Sequence, residues 1–558
     1  MKNLFRLCLP AFMAVVLVTL PLGQAPAQEA AQEIKPVAVI SIAGSDELLG
    51  DIGYITEAAG AGDFGRLAAL MATPYTAPLD RKKPIGAYVV LSDQNEPAAV
   101  GFIPVKDLDV FLAALKEQIG EPEDAGDGVL EIGTDRPQPM FVKEQKGWAF
   151  VSNKKEMLEN LPRNPTKLLG GLNKDYTLAV RVNVSNLPEG LRQMAVQQLR
   201  KGFNESIENV RDDKAAEIGR KLGEGWVDAF ITLVEDTEAV TLGFEIDAES
   251  QTTHIDITVT AVEGTKLAEE MATVEEANSA FAGFLLPDAA ATFHAAGKSA
   301  ETDVEQMLLL LDVIREEAMK GIEKDNDLDN DEERDTAKAI VGQFLDIAEQ
   351  TVKARTVNCG GVLVLKPNSL AAALGGFVSD GDALEQAIGE LWDFAKEKDP
   401  NVRNLDVNTQ THRGVTLNTI NVPLKDQKEE AREVLGDPLE VVLGVGEKSV
   451  YLAFGKESTD LLKQILDKSA EDAGGKFAPG EVNVSLTPIL EFAASIDDNP
   501  GVQTALESLK AADGKDNITL TVMPAKRGVT LRFAVEEGVI SAAGEAGKAI
   551  GPLMGASR

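Results

Sequence analysis

Four aspartates in one short loop are the strongest candidates for chemistry in this chain. The loop lies between two segments with helical periodicity, and its carboxylates occupy alternate positions: Asp325, Asp327, Asp329 and Asp331. Short carboxylates in this arrangement resemble the start of a helix–loop–helix calcium site, where oxygen ligands converge on a hard cation. We therefore treat these four residues as a candidate calcium site, and calcium as the one candidate cofactor.

The same loop departs from the calcium pattern at two positions. Asn330 stands where the glycine of the sharp turn belongs, and Thr336 occupies the twelfth position, where a bidentate glutamate is needed. In the alternative interpretation, Asn330 caps a helix whose first turn contains Asp331, Glu332 and Glu333, because acidic residues suit the positive end of a helix. We expect the second interpretation, a solvated acidic turn.

Two short motifs match catalytic or cofactor patterns as letter strings. Residues 60–65, GAGDFG, match the dinucleotide fingerprint, but they follow a helical stretch at 48–59 where that fingerprint needs a strand. Ser152 and Lys155 have the Ser-x-x-Lys spacing of acylating enzymes, yet the companion motifs of those enzymes do not follow. We interpret 60–65 as a connector between helices and Ser152 as a helix cap.

The histidine and cysteine content gives no recognisable catalytic set. His254, His294 and His412 lie in or beside strand-like segments and lack the close spacing of a zinc site. Cys359 fits a small buried strand residue. The chain is therefore predicted not to be an enzyme, and an unrecognised hydrolase would need His254, His294 or His412 to converge with an acid and a nucleophile.

The elements that would position such residues occur twice. The signature VNVS with a proline three residues later appears at 182–188 and again at 482–488. Segment 147–154 corresponds to 450–458, and the strand residues 254–259 correspond to 528–533. Because the shared residues are apolar strand residues, the repeat is that of a scaffold and not of a reactive site.

Hairpins alternating with amphipathic helices predict an α+β fold. We expect two duplicated halves of antiparallel sheets covered by amphipathic helices, with the first half at 28–275 and the second at 276–558. Clear examples are the hairpin at 86–103 and the helix at 108–119, whose apolar residues follow a helical stripe.

Several finer elements follow from local patterns. In the first half, helices are predicted at 153–161 and over one long stretch at 187–222. In the second half, Pro367-Asn368-Ser369 is expected to start a helix at 370–374, and Ser458 to cap a helix at 459–466.

The N-terminus has the pattern of an export signal. Lys2 and Arg6 precede the apolar segment Leu7–Leu22, and Ala25-Pro26-Ala27 offers a cleavage site after small residues. The apolar segment is interrupted by prolines and shorter than the ~20 residues that cross a bilayer. We predict a signal peptide at 1–27, no membrane span in the mature chain, and a periplasmic, extracellular or cell-surface location.

The chain is strongly acidic, with a net charge of −36. Cleavage of the signal would remove two basic and no acidic residues, which brings the charge to about −38. Such a surface repels nucleic acid and anionic lipid, so nucleic-acid partners are not expected. Cys359 alone would remain after cleavage, so the mature chain would contain no intrachain disulfide.

The overall layout resembles large exported bacterial proteins of uncharacterised function. The features that carry this resemblance are the export signal, the strand, Pro-x-x-Asp turn and amphipathic helix of Ile103–Leu115, and the hairpins around Trp148 and Tyr451. The resemblance implies an exported location and a fold, and it transfers no catalytic residue.

We therefore expect an exported non-enzymatic structural, surface or binding protein with an unidentified protein or cell-envelope partner. The alternatives are a hydrolase, as above, and a periplasmic carrier of an apolar ligand. A carrier would need a cavity lined by Leu308–Leu311, Phe344 and Leu345, whereas a structural module would fill that space with side chains.

Overall fold

A computed structural model gives the architecture of most of the chain. It describes the following residues: 34–91, 95–133, 139–208, 213–325, 328, 330–403, 405–425, 427–497, 499–512 and 514–555. The predicted signal peptide at 1–27 lies outside the described residues.

The predicted α+β fold is confirmed, because the described strands form one antiparallel sheet of twenty strands with helices between them. The strands are β1 Ala38–Ile42, β2 Ile85–Leu91, β3 Pro97–Pro104, β4 Glu123–Gly126, β5 Val129–Ile132, β6 Met140–Gln145, β7 Trp148–Ser152, β8 Leu178–Val182, β9 Thr237–Asp247, β10 Thr252–Ala261, β11 Ala291–Lys298, β12 Thr356–Lys366, β13 Ser369–Phe377, β14 Asp406–His412, β15 Val415–Val422, β16 Leu439–Gly446, β17 Ser449–Gly455, β18 Gly480–Ser485, β19 Asn517–Ala525 and β20 Gly528–Glu536.

The two halves of the sheet have the same strand order. From the outer edge inward, the first half runs β4-β5-β6-β7-β3-β2-β1-β8-β9-β10. The second half runs β14-β15-β16-β17-β13-β12-β11-β18-β19-β20. Val182 in β8 and Val482 in β18 occupy equivalent strands. The two copies of the sequence echo thus lie at equivalent places in the strand order, and the internal repeat stays a prediction.

The halves meet where β10 pairs with β20 in antiparallel register. Ile257 lies opposite Leu531, and the sequence echo makes these two positions equivalent. An approximate two-fold axis therefore passes between them, as in an isologous interface between two subunits. The predicted boundary near 275 falls between the end of β10 and the start of β11, and the division into two domains stays a prediction.

Helices follow equivalent strands in the two halves. The helices are α1 Ser45–Ala58, α2 Gly62–Thr76, α3 Leu108–Ala114, α4 Lys116–Ile119, α5 Leu172–Asp175, α6 Glu189–Glu208, α7 Asp213–Asp236, α8 Lys266–Ala272, α9 Glu301–Lys324, α10 Asp331–Lys353, α11 Gly381–Lys398, α12 Pro400–Arg403, α13 Glu429–Leu435, α14 Ser458–Glu471, α15 Leu486–Ile496, α16 Pro500–Ala511 and α17 Glu537–Gly555. Helix pairs follow β1, β11, β8 and β18, and a helix follows β3 and β13. Within the described part of the chain, no helix combines the length and the apolar character that crossing a bilayer requires.

Large apolar side chains pack on both faces of the sheet near its outer strands. In the second half, Leu462 and Ile465 of α14 are buried against Ala453 and Leu417. In the first half, the corresponding face is covered by 3₁₀ turns that contribute Leu158 and is therefore also a closed core. Helix α3 packs on the other face of the first half.

The predicted helix at 370–374 is wrong, because these residues lie in strand β13. Asn368 adopts a left-handed turn (φ 53°), which reverses the chain directly after β12. Strand β13 then pairs on both sides, with β12 and β17. The alanine and leucine residues of this segment favour a helix locally, but two flanking strands that satisfy its backbone outweigh that preference.

Two other helical predictions need correction. The predicted helix at 153–161 is a single 3₁₀ turn, Lys155–Leu158, and the stretch at 187–222 belongs to two helices, α6 and α7. Ser458 is not the cap of α14, because it lies inside the helix. The capping group is the Glu440 carboxylate of β16, which accepts hydrogen bonds from the Thr459 backbone N–H at 2.6 Å and the Ser458 hydroxyl at 2.9 Å.

Candidate functional site

One row of apolar residues crosses ten adjacent strands in the middle of the sheet, from β8 to β17. Residues that lie directly opposite each other in an antiparallel sheet point to the same face. The apolar row, in spatial order, is Leu178, Phe244, Ile255, Phe533, Leu520, Val482, Phe293, Gly361, Leu374 and Leu452. We call the face that carries this row the apolar face, and the other side of the sheet the polar face.

The side chains of the apolar row are not packed as a core. Six row members and two neighbours on the same face are 36–48% exposed: Leu178, Ile255, Phe533, Phe293, Leu374, Leu452, Leu242 and Phe454. An antiparallel sheet with one solvated face normally turns polar residues to the solvent. Here the half-exposed side chains are aliphatic and aromatic.

The residues around the row carry almost no polar groups. The strand positions two residues before and after each row member share the apolar face. Among these described positions, Thr253 and Cys359 are the ones with a hydroxyl or thiol, and none has a charged side chain. The apolar face can therefore offer hydrocarbon contact, with very little hydrogen bonding.

Helices stand on the apolar face around the row. Leu267 and Met271 of α8 pack against Val259 of β10 and Val529 of β20, which lie beside the row. This packing covers the apolar face at the junction of the two halves, on the side of the row where Val259 and Val529 lie.

The outer parts of the apolar face are also covered. In the first half, Phe111 of α3 packs in one cluster with Val142 and Ala149. In the second half, Leu384 of α11 belongs to a cluster against which Val450 packs. The row is thus a partly exposed apolar surface bordered by packed helices.

The polar face carries a buried ion pair at the junction of the halves. Asp256 of β10 accepts two hydrogen bonds from Arg532 of β20, both at 2.8 Å, and one from the Tyr176 hydroxyl at 3.0 Å. The hydrogen bond with Asp256 raises the pKa of Arg532. Burial, with the neighbouring Asp256 charge, raises the pKa of Tyr176 to about 12. This network joins the two halves and holds both charges in place.

The candidate calcium loop lies far from this row in sequence, and half of it can be described. Asp327 and Asp329 lie outside the described residues, whereas Asp325 follows α9 and Asp331 begins α10. The Asn330 side chain accepts a hydrogen bond from the Glu333 backbone N–H at 3.0 Å, so the predicted N-cap is confirmed. A calcium site at these four aspartates stays a hypothesis.

The surroundings of this loop are of mixed charge. Asp331 is fully exposed and lies 3.6 Å from Arg334. A shallow depression beside it is lined by carboxylates and by the cationic side chains of Arg334 and Lys338. Within the described ranges, no three histidine, cysteine, aspartate or glutamate residues are grouped so that they could hold a metal ion.

The three histidines do not converge. His254 in β10 and His294 in β11 are both on the polar face, but β20, β19 and β18 lie between them, a separation of roughly 19 Å at the usual strand spacing. His412 lies elsewhere, 3.0 Å from the Asp467 carboxylate, which Arg413 also contacts. Burial lowers the pKa of His294 and of His254. The three histidines therefore share no site, and the hydrolase alternative stays a hypothesis.

The remaining motifs have structural surroundings. Residues 60 and 61 join α1 to α2, whereas residues 62–65 form the first turn of α2, so the predicted connector between helices is confirmed only for its first two residues. Ser152 ends β7, and its hydroxyl donates to the Ala99 carbonyl at 2.8 Å. Lys155 donates to the Ala125 carbonyl at 2.6 Å, and the Ser152 hydroxyl also accepts a hydrogen bond from the Lys154 backbone N–H at 3.2 Å; the residue at the N-cap of the following 3₁₀ turn is Lys154 and not Ser152. Cys359 lies in β12, half-buried on the apolar face.

The residues proposed from sequence to line a carrier's cavity lie on α9 and α10, and the carrier alternative stays a hypothesis. Leu345 is buried, and Phe344 packs against the core that contains Leu384. Leu309 is exposed on α9. The apolar alternation of the strands at 240–246 and 529–535 is visible in the sequence. Sequence reasoning nevertheless missed the apolar row, because alternation reveals which strand positions are apolar but not which of them a helix covers.

Comparison of the chain with protein-family models, with curated proteins and with solved structures finds no match. Function is therefore argued from the chemistry of the site itself.

Proposed function

We propose that this chain is an exported, non-enzymatic binding protein whose apolar row holds its ligand. The observation that supports this proposal is the set of half-exposed apolar side chains on one continuous face. Eight side chains of ~150–250 Å² each, exposed to this extent, present roughly 600 Å² of apolar surface. Patches of that size are at the upper end of those on monomeric proteins, where they often mark binding sites.

The energetics favour occupation of this surface. Removing roughly 600 Å² of apolar area from water at about 25 cal/mol/Å² contributes on the order of 15 kcal/mol before the costs of association. Those costs consume much of this gain, so the net affinity is smaller. A purely structural module would cover these positions with its own side chains, which supports the binding role over the structural one.

The exported location belongs to the same proposal. It is supported by the sequence pattern at 1–27 and by the acidic composition, which suits a dispersed protein outside the cytoplasm. A periplasmic or cell-surface position would place the apolar row near the components of the cell envelope.

The test is a titration of the mature protein with Nile red, a neutral apolar dye that fluoresces on transfer from water. We expect saturable binding by the wild type and at least tenfold weaker binding by Leu374→Glu and by Phe533→Glu. A charge on the row would have to be desolvated when the dye binds. Because both residues are half-exposed, these variants should fold, which circular dichroism checks.

Leu70→Glu is the matched control. Leu70 is 70% exposed on α2 and belongs to a helix surface away from the sheet. The same change in charge and size at Leu70 should leave dye binding as in the wild type. Equal dye affinity of Leu374→Glu, Phe533→Glu and the wild type would contradict the proposal.

A further inference from the structure

We infer that the ligand of the apolar row is a single lipid molecule with a long acyl chain, which lies across the strands and carries an uncharged or zwitterionic head group. This inference rests on the proposed binding function and names its ligand class. The narrow shape of the row, its continuity, its lack of polar groups, its limited area and the charge of the chain point to this ligand class.

The row is narrow and is longer than one extended hexadecanoyl chain, which would cover part of it. Ten neighbouring strands at about 4.8 Å spacing span roughly 43 Å along the sheet. The row runs perpendicular to the strands, one residue wide, between α8 on one side and the covered outer strands of both halves. A narrow flexible hydrocarbon chain fits such an elongated surface better than a compact ligand does.

The row is continuous even where it contains a glycine. A Cβ atom added to Gly361 would lie 2.1 Å from the Phe293 ring and 2.7 Å from the Leu374 side chain. These two side chains therefore lean over Gly361 from the neighbouring strands. Gly361 itself is buried, so a hydrocarbon chain would not have to desolvate its backbone.

A protein partner fits this surface less well. Protein interfaces carry about one hydrogen bond per 100–200 Å², but the positions around the row offer a single hydroxyl, that of Thr253. The exposed area of roughly 600 Å² is also below the ~800 Å² that each partner buries in a standard interface.

A second copy of the chain is disfavoured in addition by electrostatics. Each chain has a net charge of −36, so two copies repel each other. The helices that stand on the apolar face would also hold two flat sheets apart.

The charge distribution indicates the head group. Among the described strand positions beside the row, none carries a lysine or arginine, so the strands offer no counter-ion to a phosphate or carboxylate that lacks a compensating cation. The strongly negative chain adds a long-range repulsion of anionic groups. A choline-type zwitterionic head group avoids both costs.

The first experiment measures binding of monomeric lysophosphatidylcholines with octanoyl, dodecanoyl and hexadecanoyl chains by calorimetry. Each further buried methylene should tighten binding by up to about fourfold. Hexadecanoyl-lysophosphatidylglycerol, with the same chain and an anionic head group, should bind at least tenfold more weakly. Affinity that does not depend on chain length, or that favours the anionic lipid, would overturn the inference.

The same titration locates the site. Leu374→Glu and Phe533→Glu should each weaken binding of the hexadecanoyl lipid tenfold or more, whereas Leu70→Glu should bind as the wild type does. Loss of binding in Leu70→Glu would instead place the lipid on the exposed surface of α2 and would contradict the inference.

A second measurement avoids substitutions altogether. A hexadecanoyl-lysophosphatidylcholine with a photoreactive diazirine at the end of its chain is crosslinked to the wild type, and labelled peptides are identified by mass spectrometry. Labels are expected in β11, β13, β17 or β20. Labels confined to helices, or light scattering that shows a dimer burying the face, would overturn the inference. Nile red binding on the row without lipid binding would refute the inference alone, whereas failure of both ligands would also refute the proposed function.

Discussion

Asp256 and Arg532 form an ion pair that links the two halves of the sheet. Asp256 is almost fully buried, whereas the Arg532 side chain keeps 36% of its surface exposed. Across the two-fold axis, the equivalent positions are Thr258 and Thr530, whose hydroxyls are 2.8 Å apart. The same backbone arrangement thus accommodates either an ion pair or two neutral hydroxyls.

This equivalence leads to a double-variant prediction. Asp256→Ala should lower the free energy of unfolding by about 2 kcal/mol, because Arg532 and the Tyr176 hydroxyl lose their partner. The value is below that of a fully buried pair, since water reaches Arg532. The double variant Asp256→Thr with Arg532→Thr should lie within about 1 kcal/mol of the wild type. Urea unfolding measures both, and a double variant less stable than Asp256→Ala would contradict the argument.

His294 predicts a pH dependence of stability. Its ring is buried, neither nitrogen has a hydrogen-bond partner among the described residues, and burial lowers its pKa. Below a pH of about 6.5 the unfolded chain gains a proton that the folded chain does not. The unfolded state then binds more protons, so stability falls as the pH drops through about 6.5 and continues to fall down to the folded pKa.

The variant His294→Phe isolates this effect. Glu481 lies opposite His294, and burial raises its pKa, which shifts stability in the opposite sense at acidic pH. The difference in melting temperature between wild type and variant should therefore grow in favour of the variant from pH 7 to pH 5. A constant difference over this range would show that His294 does not titrate differently in the folded chain.

The candidate calcium loop gives a metal prediction. The Asn330 cap and the Asp331–Arg334 contact already use part of the loop's polar groups. Calcium and magnesium should therefore raise the melting temperature weakly and alike, and added salt should remove the effect. Saturable binding of one calcium ion, lost in both Asp327→Ala and Asp329→Ala, would show a specific site instead.

At the scale of single elements, a carboxylate within one strand and a carboxylate directly before another cap the starts of two helices. Glu440 of β16 caps α14, and Asp516 accepts hydrogen bonds at 2.8 Å from the Ser485 hydroxyl and the Thr487 N–H at the start of α15. Both capping groups are distant in sequence from the helices they serve. A cap of this kind connects helix formation to completion of the sheet.

Removal of such a cap should destabilise the chain measurably. Glu440→Ala should lower the free energy of unfolding by about 1.5 kcal/mol, because the Thr459 N–H loses its acceptor and the Ser458 hydroxyl loses one of its two. Glu440→Gln keeps an acceptor oxygen and should lose less than half as much. Equal urea midpoints for the wild type and Glu440→Ala would mean that water replaces the cap at no cost.

These caps also explain which elements the sequence could predict. The hairpin at 86–103 and the helical segment at 108–119, which forms α3 and α4 and not one helix, depend on local alternation, a helical stripe and the Asp107 cap, all of which are visible in a short window. Strand β13 and the start of α14 depend on residues 50 or more positions away or on a neighbouring strand. Local patterns contain no information about such partners.

The candidate site likewise has features that local sequence patterns predict and features that depend on distant residues. The alternating apolar residues of β10 and β20 are visible in the sequence, and their register follows once the two strands are paired. That pairing joins Ile255 to Phe533 across 278 positions of chain, and no short-range signal specifies it. The exposure of the row depends in turn on where α8 and α11 pack.

At the scale of the whole molecule, the β10–β20 pairing turns two similar halves into one sheet. The contact runs over nine residue pairs and is antiparallel between equivalent strands. If the halves were separated, each would present a long unpaired edge strand, which is a template for pairing with another chain. The whole molecule therefore behaves in this respect like a dimer whose subunits are covalently joined.

Co-expression of fragments 28–275 and 276–558 tests this view. The two fragments should copurify as a one-to-one complex, because β10 and β20 satisfy each other's edges and Asp256 neutralises Arg532. Fragment 276–558 alone should form a homodimer in which β20 of one copy pairs with β20 of the other about the same axis. Arg532 of each copy would then lie opposite Thr530 of the other copy, so neither guanidinium group would have Asp256 as its partner. This homodimer should dissociate or aggregate at concentrations where the one-to-one complex persists, as measured by size-exclusion chromatography with light scattering. Two fragments that each remain monomeric and do not associate would show that the halves fold as independent units and that the β10–β20 contact contributes little to holding them together.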